Sequence, residues 1–250
     1  MGEPRTTAQF FRQAALLALI MLGSLGLYLS VLWWRGPEAT LVTWLPLDEW
    51  IAFRPEWVWI YLLPYLIGPL AVGLLSPATF AWFVRRGLLL VLISLAIFVL
   101  LPTRTIRPDI SDLGDSATTD LYRNMIALDG PAANAAPSLH VSLTCLLLWA
   151  LCRDFPRGWP LTAGLIGLVW LSTLFTRQHH LLDVATGVLL ASLLALPIPS
   201  RARKGAGLSP PLPHGRGSEA ETRPTSKNAC QVRFAPAILE GDRGKDDPPD

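Results

Sequence analysis

Six apolar runs close to the length of a membrane-crossing helix divide this chain, and they leave it few folds to choose from. They cover residues 14–34, 57–75, 79 or 87 to 101, 138–151, 161–175 and 181–197. The first is about 31 Å long as a helix rising 1.5 Å per residue, enough to cross the roughly 30 Å hydrocarbon layer of a bilayer. Hydrophobic residues make up 51% of the sequence and charged ones 16%, more apolar surface than a soluble domain tolerates. The expectation is an all-α, polytopic bundle of six transmembrane helices. A signal sequence is the other reading of the first run. That run exceeds a signal core, has no small-x-small cleavage pattern, and ends on Trp33-Trp34-Arg35, which resembles an interfacial anchor. Pro64 and Pro69 interrupt the second run, as membrane helices accept where neighbours re-satisfy the freed carbonyls. The fourth run is short. A start within the headgroup layer would put His140 at the depth of a lipid phosphate, with tilt or local thinning as the alternative.

Charge orients such a bundle. With the N-terminus inside, cytoplasmic segments carry Arg5, Arg12, Arg85, Arg86, Arg153, Arg157, Arg201, Arg203 and Lys204. The external segments hold Arg35, Arg54, Arg104, Arg107, Arg123 and Arg177. This predicts a plasma (inner) membrane protein with both termini cytoplasmic. The organisation expected is a six-span membrane domain over residues 1–198 and a disordered cytoplasmic tail over 199–250, where Pro, Gly and charge replace the hydrophobic pattern. Cys145 and Cys152 are about 10 Å apart by helical rise, too far for a disulfide. A net charge of +2 gives no reason to expect nucleic acid as a partner, and no Gly-rich phosphate loop or zinc-type cysteine pair is present.

Polar chemistry gathers at the ends of the runs. His179 and Asp183 are four apart, which on a helix would place both on one face with the carboxylate accepting one ring N–H and the other nitrogen left basic. Pro137-Ser138-Leu139-His140 opens the fourth run, with Ser138 as N-cap and unpaired backbone N–H groups that suit an anion. His140 could there protonate a departing oxygen. Two membrane crossings separate His140 from His179, so both meet the same face. Arg104, Arg107 and Arg177 lie on that face too, and guanidinium groups suit the oxygens of a transferring phosphoryl group. Asp109, Asp112, Asp115 and Asp120 fit no calcium loop and are expected to form a solvated loop.

Pro137 to His140, His179 with Asp183, and Arg107-Pro108 resemble the three signature motifs of the phosphatidic acid phosphatase type 2 superfamily, usually written Lys-x6-Arg-Pro, Pro-Ser-Gly-His and Ser-Arg-x5-His-x3-Asp. Leu128-Asp129-Gly130-Pro131, Asn134, and Ser172 to His179 look like its inositol phosphorylceramide synthase-like (inositolphosphotransferase) branch, as do Asp48-Glu49-Trp50-Ile51 and Pro55 to Tyr61. The resemblance covers most of residues 40–198. It implies six membrane helices and a metal-independent reaction, with no cofactor, through a phosphohistidine. His179 would be the nucleophile, Asp183 its orienting partner and His140 the general acid, with Arg107 and Ser138 holding phosphate. Leu139 stands in place of the motif Gly, Leu100 in place of Lys and Thr173 in place of Arg; Arg104 and Arg177 are the candidates to supply the displaced charge.

The expected partner is therefore a membrane lipid or isoprenoid phosphate in the bilayer, with water as acceptor in a phosphatase and an alcohol in a phosphotransferase. Two other classes stay open on the residues. One is a non-catalytic lipid-binding or transport protein with a weakened phosphate clamp. The other is a metalloenzyme using His140, His179, His180 and Asp183.

Overall fold

We describe residues 6–196 of a computed structural model of the chain. The tail and the end of the sixth apolar run lie outside the described residues. The architecture is almost wholly helical: α1 Thr7–Arg35, α2 Val58–Gly73, α3 Pro77–Leu100, α4 Ala117–Leu128, α5 Leu139–Asp154, α6 Trp159–Phe175 and α7 Leu181–Ala195. Most of the long helices start where the sequence supplies an acceptor for unpaired N–H groups or a preset φ. Thr6 accepts from Gln9 N, Ser76 from Thr79 N and Ser138 from Val141 N, while Pro77 and Pro160 stand in the first turns of α3 and α6. α5 packs against α3, α6 and α7, and α1 and α6 flank α2.

Of the six spans expected, four are matched by helices of crossing length. Among the described residues, four stretches are long and apolar enough to cross a membrane by length and composition: Thr7–Glu38, Pro55–Gly73, Pro77–Leu100 and Pro156–Phe175. α5 has 16 residues and α7 has 15, about 24 and 22 Å, short of a roughly 30 Å hydrocarbon layer. α5 is cut short by Pro137 before it and by Arg153-Asp154 at its end, and it carries Ser142 and Thr144 along its buried face.

Buried apolar clusters fill the bundle. One gathers Leu17, Val72, Phe83, Leu90, Leu146 and Ala191; another joins Val91, Leu95 and Phe98, with Tyr28 packed against it. Outward-facing Leu19, Leu22, Leu66, Leu92 and Leu161 are exposed, the arrangement of a bundle whose solvent is lipid rather than water. At one end, Asp154 accepts from the Ser76 and Thr79 hydroxyls and ties the start of α3 to the end of α5.

The other end carries the site. Here α1 and α3 finish together, Arg35 Nε donating to Val99 O at 3.1 Å. A two-residue parallel pair, β1 Leu41–Val42 with β2 Thr103–Arg104, ties the loop after α1 to the loop after α3, in register Leu41 to Thr103. Within the segment expected to be a solvated loop stands α4, capped by Ser116 and burying Thr119 and Tyr122. Its acidic neighbours are solvated as expected, Asp115 and Asp120 both meeting Arg123. Trp33, Trp34, Trp50 and Trp59 are exposed around this end, where a membrane interface favours amphipathic rings.

Candidate active site

The turn between α6 and α7 carries the centre of the site. Thr173 O accepts from both Gln178 N and His179 N at 3.1 Å, and Arg177, just before them, has φ 53°. His179 is therefore in a turn and not on the helix, which starts two residues later. This corrects the expected origin of the His179–Asp183 pair. Asp183 is the third residue of α7, and its Oδ2 accepts from His180 N at 2.8 Å, a cap that holds the carboxylate against the turn. His179 Nδ1 lies 3.6 Å from that same Oδ2. Nδ1 and Asp183 Oδ1 are both buried without a hydrogen-bond partner, so the imidazole and the carboxylate face each other with bonding capacity to spare. Such bonds are often long before substrate arrives. With Nδ1 turned to Asp183, Nε2 is the nitrogen left for chemistry.

Four groups fix this turn from outside. Arg54 N donates to Phe175 O at 2.8 Å and the Tyr122 hydroxyl to Thr176 O at 2.8 Å. Arg177 donates from Nη1 to Asp48 O at 2.8 Å and from Nη2 to Ile51 O. Asp48, wholly buried, accepts from Leu45 N at 2.8 Å and from Leu181 N at 2.9 Å. The negative carboxylate thus sits at the positive end of α7. Burial pushes the Tyr122 hydroxyl up to about 12, so it stays a donor throughout the ordinary pH range.

The second motif is fastened directly to the third. Ser138 N donates to Asp183 O at 3.1 Å, while Ser142 Oγ reaches both Ser138 O at 2.6 Å and Gly187 O at 3.1 Å. A Cβ on Gly187 would stand 2.8 Å from Ser138 O. Only glycine lets the start of α5 come this close to α7. Ser138 Oγ caps α5 by accepting from Val141 N at 3.3 Å, leaving its hydroxyl hydrogen to donate elsewhere. His140, on the first turn of α5, is buried and stacks on Tyr61 of α2 at 4.4 Å with the rings 7° apart. Tyr65 adds a tilted contact at 5.4 Å. His140 Nε2 has no partner among the described residues, and the ring is close enough to His179 for the two to act on each other electrostatically.

The arginines fall into different environments. Arg107 pairs through Nη2 with Asp129, which also accepts from the Tyr28 hydroxyl at 3.0 Å. Arg107 Nη1 donates to Ile126 O at 3.2 Å, and its Nε is buried without a partner. Burial pushes the Asp129 carboxyl up, with the Arg107 guanidinium opposing it, and His179 lies within electrostatic range of the same carboxylate. Arg104 is exposed on β2, its backbone carbonyl accepting from Thr43 N. Arg177 is engaged by loop carbonyls instead of standing open to a ligand. Leu100 is 75% exposed and Thr173 is buried, its hydroxyl donating to Trp170 O at 2.7 Å. Neither can stand in for the basic residue of its motif position.

Histidines at the ends of two adjacent helices, one backed by a buried carboxylate, with a guanidinium beside them, are a set able to attack, protonate and hold a phosphoryl group. The sequence matches the family model described as the PAP2 superfamily over residues 29–196. The chain belongs to the PAP2 superfamily. No curated protein and no solved structure matches it. Among the described residues of this PAP2 chain, no group of three or more His, Cys, Asp or Glu side chains is arranged to hold a metal ion. The PAP2 motifs point to the two histidines, Asp183 and Arg107, but not to Tyr61, Asp48, Asp129 or Gln178 as parts of the site. All four lie in segments that carry the family resemblance, Tyr61 in Pro55 to Tyr61 and Gln178 in Ser172 to His179, but their residue types and spacing do not mark them as parts of a site.

Proposed function

We propose that this PAP2 protein is an integral membrane phosphatase or phosphotransferase acting on a lipid or isoprenoid phosphate at the extracytoplasmic face, through a phosphohistidine and without a metal. The observation that carries the reading is the His179 to Asp183 approach at 3.6 Å, with Asp183 bonded through its backbone to Ser138. Nε2 of His179 attacks phosphorus, the ester oxygen leaves with a proton from His140, and water or an alcohol then takes the phosphoryl group from His179. Asp183 holds Nδ1–H and stabilises the imidazolium that forms. Arg107 and Ser138 contact the phosphate oxygens, Arg104 lends long-range positive charge, and Arg177 acts by fixing the turn. The sequence likeness to the inositol phosphorylceramide synthase-like branch supports transfer to an alcohol acceptor as one form of the reaction.

Brief incubation with a ³²P-labelled lipid phosphate, acid-free quenching and gel separation test the mechanism. Label should appear on the wild-type chain, survive EDTA and be missing from His179→Ala. Label that persists in His179→Ala moves the nucleophile to His180. A second reading, a lipid-binding or transport protein without turnover, draws on the engagement of Arg107 by Asp129 and of Arg177 by carbonyls; lipid binding with neither label nor hydrolysis would establish it. Orientation follows from single-cysteine labelling in a background lacking Cys145, Cys152 and Cys230. Positions between 103 and 137 should react in intact cells and position 157 only after permeabilisation; the opposite pattern inverts the topology.

A further inference from the structure

Four nitrogen-bearing side chains around His179 share an unusual state. Arg107 Nε, His140 Nε2, Gln178 Nε2 and His180 Nε2 are all buried with no hydrogen-bond partner among the described residues, and His180 differs in that its other ring nitrogen is already bonded to the Thr43 hydroxyl. Folded proteins rarely leave such groups unpaired unless a ligand, ion or water completes them. Arg107 and His140 already belong to the phosphate-transfer reading. Gln178 does not, and neither of the motif positions that should supply basic residues can do so, since Leu100 is exposed and Thr173 gives its hydroxyl to Trp170 O.

We propose that Gln178 is a ligand of the substrate phosphate, its side-chain amide donating to a phosphoryl oxygen in place of the motif's absent basic residues. Gln178 is only 6% exposed, and its backbone N–H shares the Thr173 carbonyl with that of His179, so amide and nucleophile are carried by one rigid turn. The amide lies beside the Tyr122 hydroxyl, which also stands within electrostatic range of Arg107. That hydroxyl has already given its hydrogen to Thr176 O at 2.8 Å, and its oxygen stands within the amide's reach as an acceptor. An anion at His179 would supply acceptors to the amide and to Arg107 Nε together. A neutral amide clamps phosphate less strongly than a guanidinium and favours ligands of lower charge, so the substitution points to a phosphodiester or monoanionic ester as the preferred substrate class.

The inference rests on the phosphate-transfer reading of the site, and the test separates the two. Full-length protein in detergent is titrated with inorganic vanadate, following both thermal unfolding and inhibition of aryl phosphate hydrolysis, for wild type, Gln178→Leu and Gln178→Glu. Vanadate should bind about tenfold to a hundredfold more weakly to Gln178→Leu, the range for losing a hydrogen bond to a charged group, and more weakly still to the nearly isosteric Gln178→Glu. The ligand-free unfolding temperatures should stay close to wild type. Unchanged vanadate affinity in both variants, or a lowered ligand-free unfolding temperature with affinity intact, assigns Gln178 a packing role and overturns the proposal alone. A wild type that binds no vanadate overturns it together with the phosphate-transfer reading.

Discussion

Gly187 gives the sharpest handle on how the two halves of the site are held together. A methyl group there would meet Ser138 O at 2.8 Å and Ser142 Oγ at 3.1 Å. The first is backbone and cannot swing aside, so α5 and α7 must separate by about 0.6 Å to reach the 3.4 Å of an ordinary contact. Overpacking of this kind costs about 1–3 kcal/mol, and the strained Ser142 and Ser138 hydrogen bonds add about 1 kcal/mol. Replacing Gly by Ala inside a helix returns about 1 kcal/mol. Gly187→Ala should therefore lose about 1–3 kcal/mol of stability. Because the displaced residue is Ser138, two before His140, a misplacement of this order should also slow turnover by about ten- to a hundredfold. At Gly164 and Gly167 on α6 an added methyl would have nothing within 4 Å, so Gly164→Ala and Gly167→Ala serve as matched controls that keep or slightly raise stability. Thermal unfolding in detergent and aryl phosphate turnover measure both effects. Gly187→Ala with wild-type stability and turnover would refute the claim that this contact sets the distance between the second and third motifs.

Asp183→Asn should lower kcat by about a hundredfold or more with KM nearly unchanged, because the amide can still cap His180 N while no longer stabilising the His179 cation; steady-state kinetics decides it. Asp48→Ala should cost about 2–4 kcal/mol and abolish activity, since Leu45 N and Leu181 N both lose a charged acceptor in a buried place, as chemical unfolding will show. Tyr122 carries a pH dependence. Its folded pKa of about 12 lies above the ordinary tyrosine value of 10.0, so the stability it contributes is complete below about pH 10 and is lost as pH rises toward 12. Tyr122→Phe should be less stable at neutral pH and should lack that part of the alkaline decline, measured as unfolding temperature against pH.

The ladder of helices is legible because apolar runs bounded by Ser, Thr and Pro carry their own start signals; Thr6, Ser76 and Ser138 all cap helices near the boundaries of those runs. α4 escapes such a reading although Ser116 and the buried positions Thr119 and Tyr122 mark it, because the acidic residues around it outweigh a short amphipathic pattern. The histidines and Asp183 can be found from spacing, but the helix expected to pair His179 with Asp183 is a turn held by Thr173 O. Asp48 has no local signal for its structural role: its partner Leu181 is 133 residues away, and no periodicity reports such a contact. Tyr61 and Asp129 lie in segments that resemble the family, but nothing local reports that Tyr61 stacks on His140 or that Asp129 meets Arg107 across 22 residues.

The attachment of the loop around Asp48 to the turn before α7 has a consequence for how the protein is made. Asp48 and the carbonyls bonded by Arg177 emerge from the ribosome early, whereas Arg177 and Leu181 follow 129 and 133 residues later. At roughly 5–20 residues per second, the delay is on the order of ten seconds. Throughout it a carboxylate destined for burial remains without its second donor, and the stretch after β1 lacks its bonds to the turn before α7. Insertion of the last helix is thus the step that locks the first loop, and chains stalled before it present an unsatisfied acidic loop to the quality-control machinery of the membrane. A nascent chain halted after α6 should accordingly be cut by protease at the 43–54 segment, and one extended through α7 should resist.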